Sequence, residues 1–198
     1  YYNTQATAGH RTHFAPDEVL INENRLLQEI DHAHQIGADL FVLDDGWYDW
    51  MGDWNINSKT FPKGLSVIKK RLDRYGMRLG LWLAPICIDQ HSETFKNHPQ
   101  FLARTENDQL IPSRFGRQLA CLSSPGYPQY FVEKCKKLID MGCTYFKWDA
   151  LDGWYCYSDQ HNHGDRTHQA SERGDRYGYE YVHIVNSMAR ELTQDCRD

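Results

Sequence analysis

Three acidic side chains stand where short apolar runs give way to polar residues. Asp44 and Asp45 follow Asp39-Leu40-Phe41-Val42-Leu43, and Asp149 follows the run from Cys143 to Trp148. A carboxylate at such a position can attack an electrophilic carbon or accept hydrogen bonds from hydroxyl groups. Lys147 lies two residues before Asp149, so on a strand both side chains leave the same face. An ammonium at that distance favours an ionised carboxylate, the state a carboxylate nucleophile requires. Plainer roles fit the same residues: Asp44-Asp45 as an ordinary turn, and Asp149 as a helix cap.

Aromatic residues gather around these acids. Trp47 and Trp82 lie beside or within the strand ends, and Trp50, Trp54, Trp148 and Trp154 complete the set. Several indoles beyond strand ends suit stacking against the apolar face of a ring whose hydroxyls are gripped by carboxylates. That mixture favours carbohydrate over nucleotide, because the chain has neither a G-x-G-x-x-G run nor a Walker loop. No cofactor is implied.

The elements that must position these residues can be read from periodicity. Leu26, Leu27, Ile30, Ala33 and His34 recur at helical spacing from about Asn22 to Ile36, and Gly37 stops the helix. The run from Asp39 to Leu43 is short, β-rich and apolar throughout, as expected of a parallel strand buried on both faces. Leu65, Ile68, Leu72 and Tyr75 mark a second helix, followed by a strand from Met77 to Leu83 that ends at Ala84-Pro85. A long connection carries a short helix near Glu93 to Asn97 and an extra strand near Gln118 to Leu122. Tyr127 to Met141 forms a third amphipathic helix, Cys143 to Trp148 a third buried strand, and Tyr181 to Leu192 a last helix after a polar loop over 152–175. Strands alternating with helices imply a parallel sheet with crossover connections, in either a doubly wound or a barrel arrangement.

Bulk properties narrow the function further. The formal charge of -5 and dispersed basic residues give no footprint for nucleic acid. Mean hydropathy is -0.72 and no apolar run approaches a membrane span, so no membrane partner is expected. Nothing at the N-terminus resembles a signal peptide, which leans towards the cytoplasm without assigning a compartment. The six cysteines, Cys87, Cys121, Cys135, Cys143, Cys156 and Cys196, contain no C-x-x-C pair. His161, His163, Asp165 and His168 share one loop, yet their spacing matches no zinc signature, so the expectation is a solvated polar loop with no metal.

Taken in order, Leu40-Phe41-Val42-Leu43-Asp44-Asp45-Gly46-Trp47, Gly52-Asp53-Trp54, Gly80-Leu81-Trp82-Leu83-Ala84-Pro85, Asn97-His98-Pro99, Leu122-Ser123-Ser124-Pro125 and Tyr145-Phe146-Lys147-Trp148-Asp149 resemble glycoside hydrolase family 36. The resemblance runs from about Glu23 to Leu192. It implies an α/β fold, the N-terminal half of a (β/α)8 catalytic barrel, occupying 1–198 as one incomplete domain truncated at both ends. It implies retaining hydrolysis of terminal α-galactosides through a covalent glycosyl-aspartate. In that pattern Asp149 is the nucleophile, Asp44 and Asp45 bind galactose hydroxyls, Lys147 contacts the sugar, and Trp47 and Trp82 line the site. Arg117 is carried over although it stands outside the usual register.

Ala84-Pro85-Ile86 replaces the Glu-Pro-Glu of many members, which leaves the glycoside open between α-galactosides and α-N-acetylgalactosaminides, with transglycosylation as a related activity. A non-catalytic carbohydrate-binding barrel is the alternative from another class. The acid/base aspartate of the resemblance lies on a strand beyond residue 198. The expected partners are therefore an α-galactoside oligosaccharide and the remainder of a longer chain, with homo-oligomers open. Residues 1–198 alone should be inactive, with poor solubility or pairing with another chain expected of strand edges left open.

Overall fold

The structure is a computed structural model that describes residues 1–5, 21–113, 116–153 and 155–195. The described chain divides into two compact units: residues 1–49, 54–83 and 137–149 form the first, and residues 50–53, 84–136 and 150–198 the second.

The first unit is built on a parallel sheet. Its strands are β1 (Tyr2–Asn3), β2 (Leu40–Leu43), β3 (Arg78–Leu83) and β6 (Cys143–Trp148), hydrogen-bonded in the order β1-β2-β3-β6. Every pairing is parallel. Each new strand joins on the same side of the last, the winding of a barrel, whereas a doubly wound sheet reverses at a switch point. The chain therefore forms part of a (β/α)8-type barrel. β2 is buried along its whole length. β6 departs from the expectation of a buried strand: Cys143 is buried, but Tyr145 is 41% exposed. The cause is position, because β6 pairs on one side only among the described residues. β1 was not anticipated, since two residues are too few to show a period.

Helices α1 (Glu23–Gln35) and α2 (Ser66–Arg74) cover this sheet. The Asn22 side chain caps α1 by accepting from the Arg25 amide at 3.1 Å, and Leu26, Ile30 and Ala33 form its buried stripe. α2 buries Ile68 and Leu72. Between the two helices, Arg71 donates to both oxygens of Asp31, Tyr75 donates to Asp31 at 2.9 Å, and the His34 and Tyr75 rings stack at 4.0 Å. Gly80 is a packing requirement: a Cβ there would stand 2.9 Å from Val42 Cγ2 and 3.0 Å from Tyr145 Cδ1. The methyl-free position lets neighbouring side chains of the same face close over β3.

The second unit holds an antiparallel pair, β4 (Cys87–Ile88) with β5 (Gln118–Leu119), and a short helix α3 (Glu93–Asn97) followed by a 3-10 turn over Pro99–Phe101. The Gly52-Asp53-Trp54 motif finds its explanation here. Asp53 is buried and its carboxylate accepts from the Glu93 and Thr94 amides, each at 2.9 Å, and from the Thr94 hydroxyl at 2.7 Å. It thus satisfies the orphan donors at the start of α3 from forty residues away. Helix α4 (Tyr127–Asp140) links the units in sequence and buries Tyr127, Phe131, Val132, Cys135 and Leu138.

Helix α5 (Ala170–Asp195) begins well before Tyr181 and shortens the loop expected over 152–175. Glu172 reaches back to accept from the Gln169 amide at 2.9 Å, half of a capping box, which lets a polar segment start the helix. Its buried residues Tyr177, Tyr181, Met188 and Leu192 keep helical spacing. The preceding loop is not the solvated segment its polarity suggests, because His161 and His163 are both buried. Trp154 and Cys196 lie outside the described residues. No helix among the described residues is long and apolar enough to cross a membrane.

Candidate active site

Strand register brings the sequence candidates together in the first unit. Leu43 pairs with Leu81, and Trp82 pairs with Lys147, so Asp44, Trp82 and Lys147 occupy one row across three neighbouring strands. With strands about 4.8 Å apart, the backbones of Asp44 and Lys147 stand roughly 10 Å apart, a gap their side chains close between them. Lys147 Nζ donates to Asp44 Oδ2 at 2.8 Å. Asp149 follows two residues later on the same face, about 6.6 Å further along the strand.

Asp149 is half-buried, and its amide donates to the Leu83 carbonyl at 2.9 Å, extending the β3–β6 ladder to the acid itself. The indole Nε1 of Trp82 donates to Asp149 Oδ2 at 3.0 Å. One oxygen of the carboxylate is thereby fixed by a charge-assisted hydrogen bond. Immediately afterwards Ala150 takes φ +55°, a left-handed conformation that costs a residue with a Cβ about 1–2 kcal/mol. Such strain gathers where a functional side chain must be aimed.

The twin acids are held differently from each other. Asp44 is buried; its amide donates to Thr4 Oγ1 at 2.9 Å, and its Oδ1 accepts from the Asp45 amide at 3.0 Å. Asp45 is half-buried and accepts from the Tyr48 hydroxyl. Lys147 also donates to Gln5 Oε1 at 3.2 Å. Lys147 therefore does more than flank Asp149: its ammonium compensates the buried charge of Asp44.

Three of the tryptophans read as stacking platforms pack against one another beside the acids. Trp47, Trp54 and Trp82 are buried, and Trp47 Nε1 donates to the Trp82 carbonyl at 2.9 Å. Tyr48 stacks on Trp82 at 6.2 Å between centroids and meets Trp54 edge-on at 4.8 Å. Offset and edge-to-face contacts of this kind hold the Trp82 indole in one orientation. Trp50 is exposed and belongs to the second unit, beside His91.

Arg117 also belongs to the second unit, where its Nε pairs with the buried Asp89 at 2.7 Å and Asp89 accepts from His91 Nδ1 at 2.9 Å. Thr4, Gln5 and Tyr48 were missed by the sequence reading. Tyr48 left a signal, an aromatic hydroxyl three residues after Asp45 in the same turn, while Thr4 and Gln5 left none.

Metal-ligating side chains gather elsewhere, at Cys121, Cys156, His161 and His163 of the second unit. The Cys121 side chain, and after it those of His161 and His163, hold the Cys156 thiol well below the usual thiol range against the effect of burial. Burial pushes the Cys121 thiol well up.

With this geometry in hand, comparison with known proteins is specific. Residues 18–195 match the family described as Melibiase. The chain is 29% identical over 174 residues to alpha-galactosidase Mel36A of Lactobacillus acidophilus, covering 84% of this chain and 23% of that protein. It is 30% identical over 136 residues to alpha-galactosidase 1 of Pediococcus pentosaceus, covering 65% of this chain and 18% of that protein. The crystal structure of an alpha-galactosidase from Lactobacillus brevis superposes with a TM-score of 0.76 at 21% identity, over 98% of this chain and 25% of that one. TtGalA, an alpha-galactosidase from Thermus thermophilus in complex with stachyose, gives 0.69 at 22% identity, over 95% of this chain and 37% of that one. The chain thus spans about a quarter of the length of relatives it matches.

Proposed function

The chain belongs to the melibiase family, and on that premise we propose that it carries the nucleophile and the galactose-binding acids of a retaining α-galactosidase. One observation carries the reading. At the ends of β2 and β6, the parallel strands that flank β3, a buried aspartate paired with lysine shares a face with a half-buried aspartate aimed by the Trp82 indole N–H of β3.

The chemistry then divides among these residues. Asp149 uses its carboxylate to attack the anomeric carbon, forming the glycosyl ester as the glycosidic bond breaks. Trp82 donates to Oδ2 at 3.0 Å, which restricts the rotation of the carboxylate and orients it for attack. Asp44 and Asp45 accept hydrogen bonds from sugar hydroxyls, and Lys147 holds the Asp44 carboxylate in place through its ion pair while it does so. A retaining mechanism needs a second carboxyl about 5–5.5 Å from the first to protonate the leaving oxygen and later to activate water. We assign that role to a strand outside residues 1–198. The substrate class is a terminal α-galactoside oligosaccharide, in keeping with the stachyose bound to TtGalA.

The test is covalent trapping of the full-length protein with a 2-fluoro-galactoside bearing an activated leaving group. Peptide mapping should place the label on Asp149, with burst release of one leaving group. A label on any other carboxylate overturns the assignment. Galactose binding that persists in Asp149→Asn while the parent protein hydrolyses no α-galactoside would favour a binding module instead.

A further inference from the structure

The loop that follows β6 brings Cys156, His161 and His163 against Cys121, which follows β5. The two sulfurs and one nitrogen from each ring all lie within 4.8 Å of one another, and all four residues are buried. Cys156 Sγ and His161 Nδ1 are already 3.3 Å apart. A tetrahedral zinc ion, with bonds of about 2.3 Å to sulfur and 2.0–2.1 Å to nitrogen, needs ligand edges of about 3.3–3.8 Å. Small side-chain rotations close the remainder.

The surrounding hydrogen bonds leave the ligating atoms facing one another. His161 Nε2 contacts the Gln100 carbonyl at 2.9 Å. Because a carbonyl only accepts, Nε2 carries the proton and Nδ1 is left bare towards Cys156. A backbone carbonyl on the outer nitrogen of a histidine is the usual outer support of a metal ligand. The Arg104 amide donates to Cys156 Sγ at 3.4 Å.

His163 separates a metal site from an ordinary hydrogen-bonded cluster. It is 2% exposed, and among the described residues neither of its ring nitrogens meets a neighbour in hydrogen-bond geometry, although the ring stands close enough to act on the Cys156 thiol. Buried polar groups are almost always paired, so an imidazole with both nitrogens unspent, one of them against two thiols, calls for a ligand.

We propose that Cys121, Cys156, His161 and His163 form a closed Cys2His2 zinc site that clamps the loop after β6 to the segment after β5. Sulfur and imidazole donors select zinc over magnesium or calcium. Four protein ligands leave no position for water or substrate, so the site is structural and not catalytic. On coordination both cysteines ligate as thiolates, any thiol proton being released to solvent, and each histidine ligates as the neutral ring. The site is independent of the glycosidase reading and involves none of its residues.

The experiment uses the full-length protein, produced with zinc in the medium and dialysed under reductant into metal-free buffer. Elemental analysis should find about one zinc equivalent per chain that Cys156→Ser and His163→Ala lose. Cobalt added to stripped protein should give the visible absorption of a tetrahedral thiolate complex, absent from both variants. Should the variants fail to accumulate, zinc-edge X-ray absorption of the wild-type protein decides alone, through two sulfurs at about 2.3 Å and two nitrogens at about 2.0–2.1 Å. A shell without sulfur, zinc retained in full by the variants, no uptake of zinc or cobalt with both thiols reduced, or a Cys121–Cys156 disulfide in mass spectra would each overturn the proposal.

Discussion

The ion pair between Lys147 and Asp44 makes a prediction that can be worked from its geometry. The side chains are 25% and 8% exposed, and the Nζ to Oδ2 distance is 2.8 Å. Removing one partner of a fully buried pair costs about 3–5 kcal/mol, whereas exposed pairs contribute about 0–1 kcal/mol. With the carboxylate buried and the ammonium a quarter open to water, about 2 kcal/mol is appropriate, or roughly 30-fold in kcat/KM. Lys147→Met and Asp44→Asn should each lower kcat/KM on an aryl α-galactoside by at least that factor. Because the two side chains act as a unit, the double variant should fall little further than the worse single one. Independent action would multiply the losses to roughly 900-fold. A double-mutant cycle on the full-length protein separates these outcomes, and multiplicative losses would refute the idea that Lys147 acts through Asp44.

Three further outcomes follow from neighbouring contacts. Trp82→Phe removes the donor to Asp149, and at about 1.5–3 kcal/mol for a bond to a charged group it should lower kcat about 10- to 150-fold in the folded fraction, together with a lower melting temperature because the buried indole leaves space behind. Gly80→Ala drives a methyl against Val42 and Tyr145, and should destabilise the protein by about 1–3 kcal/mol in urea denaturation, with kcat preserved in the fraction that folds. Asp53→Ala strips two amides and a hydroxyl of their acceptor at the start of α3, and should cost about 2–4 kcal/mol, with protease cleavage first appearing near Glu93.

Much of this architecture is legible in the sequence, for physical reasons that also explain what is not. Leu40–Leu43 and Arg78–Leu83 are apolar enough to announce buried parallel strands, and Asp44 stands at the end of the first of them, as its place in the sequence suggests. β6 carries an irregularity at Thr144 but pairs in step with β3 from Tyr145 to Trp148, which is the stretch the same-face reading of Lys147 and Asp149 depends on. The lysine's bond to Asp44 was hidden because it depends on register between strands 103 residues apart. The burial of Trp47 and Trp82 was hidden for a related reason: an indole beyond a strand end looks alike in sequence whether it faces solvent or packs behind a carboxylate. The loop containing His161 and His163 misled most, since Cys121 is 40 residues upstream of its nearest histidine partner and no contiguous spacing announces the group.

The final rung of the β3–β6 ladder is the amide of Asp149, and Ala150 at φ +55° is the first residue to leave it. The carboxylate proposed as nucleophile therefore stands at the boundary between the sheet and the loop that follows it. One residue inserted between Trp148 and Asp149 would rotate the carboxylate to the opposite side of the sheet, since side chains alternate along a strand. Insertions placed after Ala150 would leave its aim intact. Sequence changes meant to spare the aim of the proposed nucleophile accordingly begin one residue past Ala150.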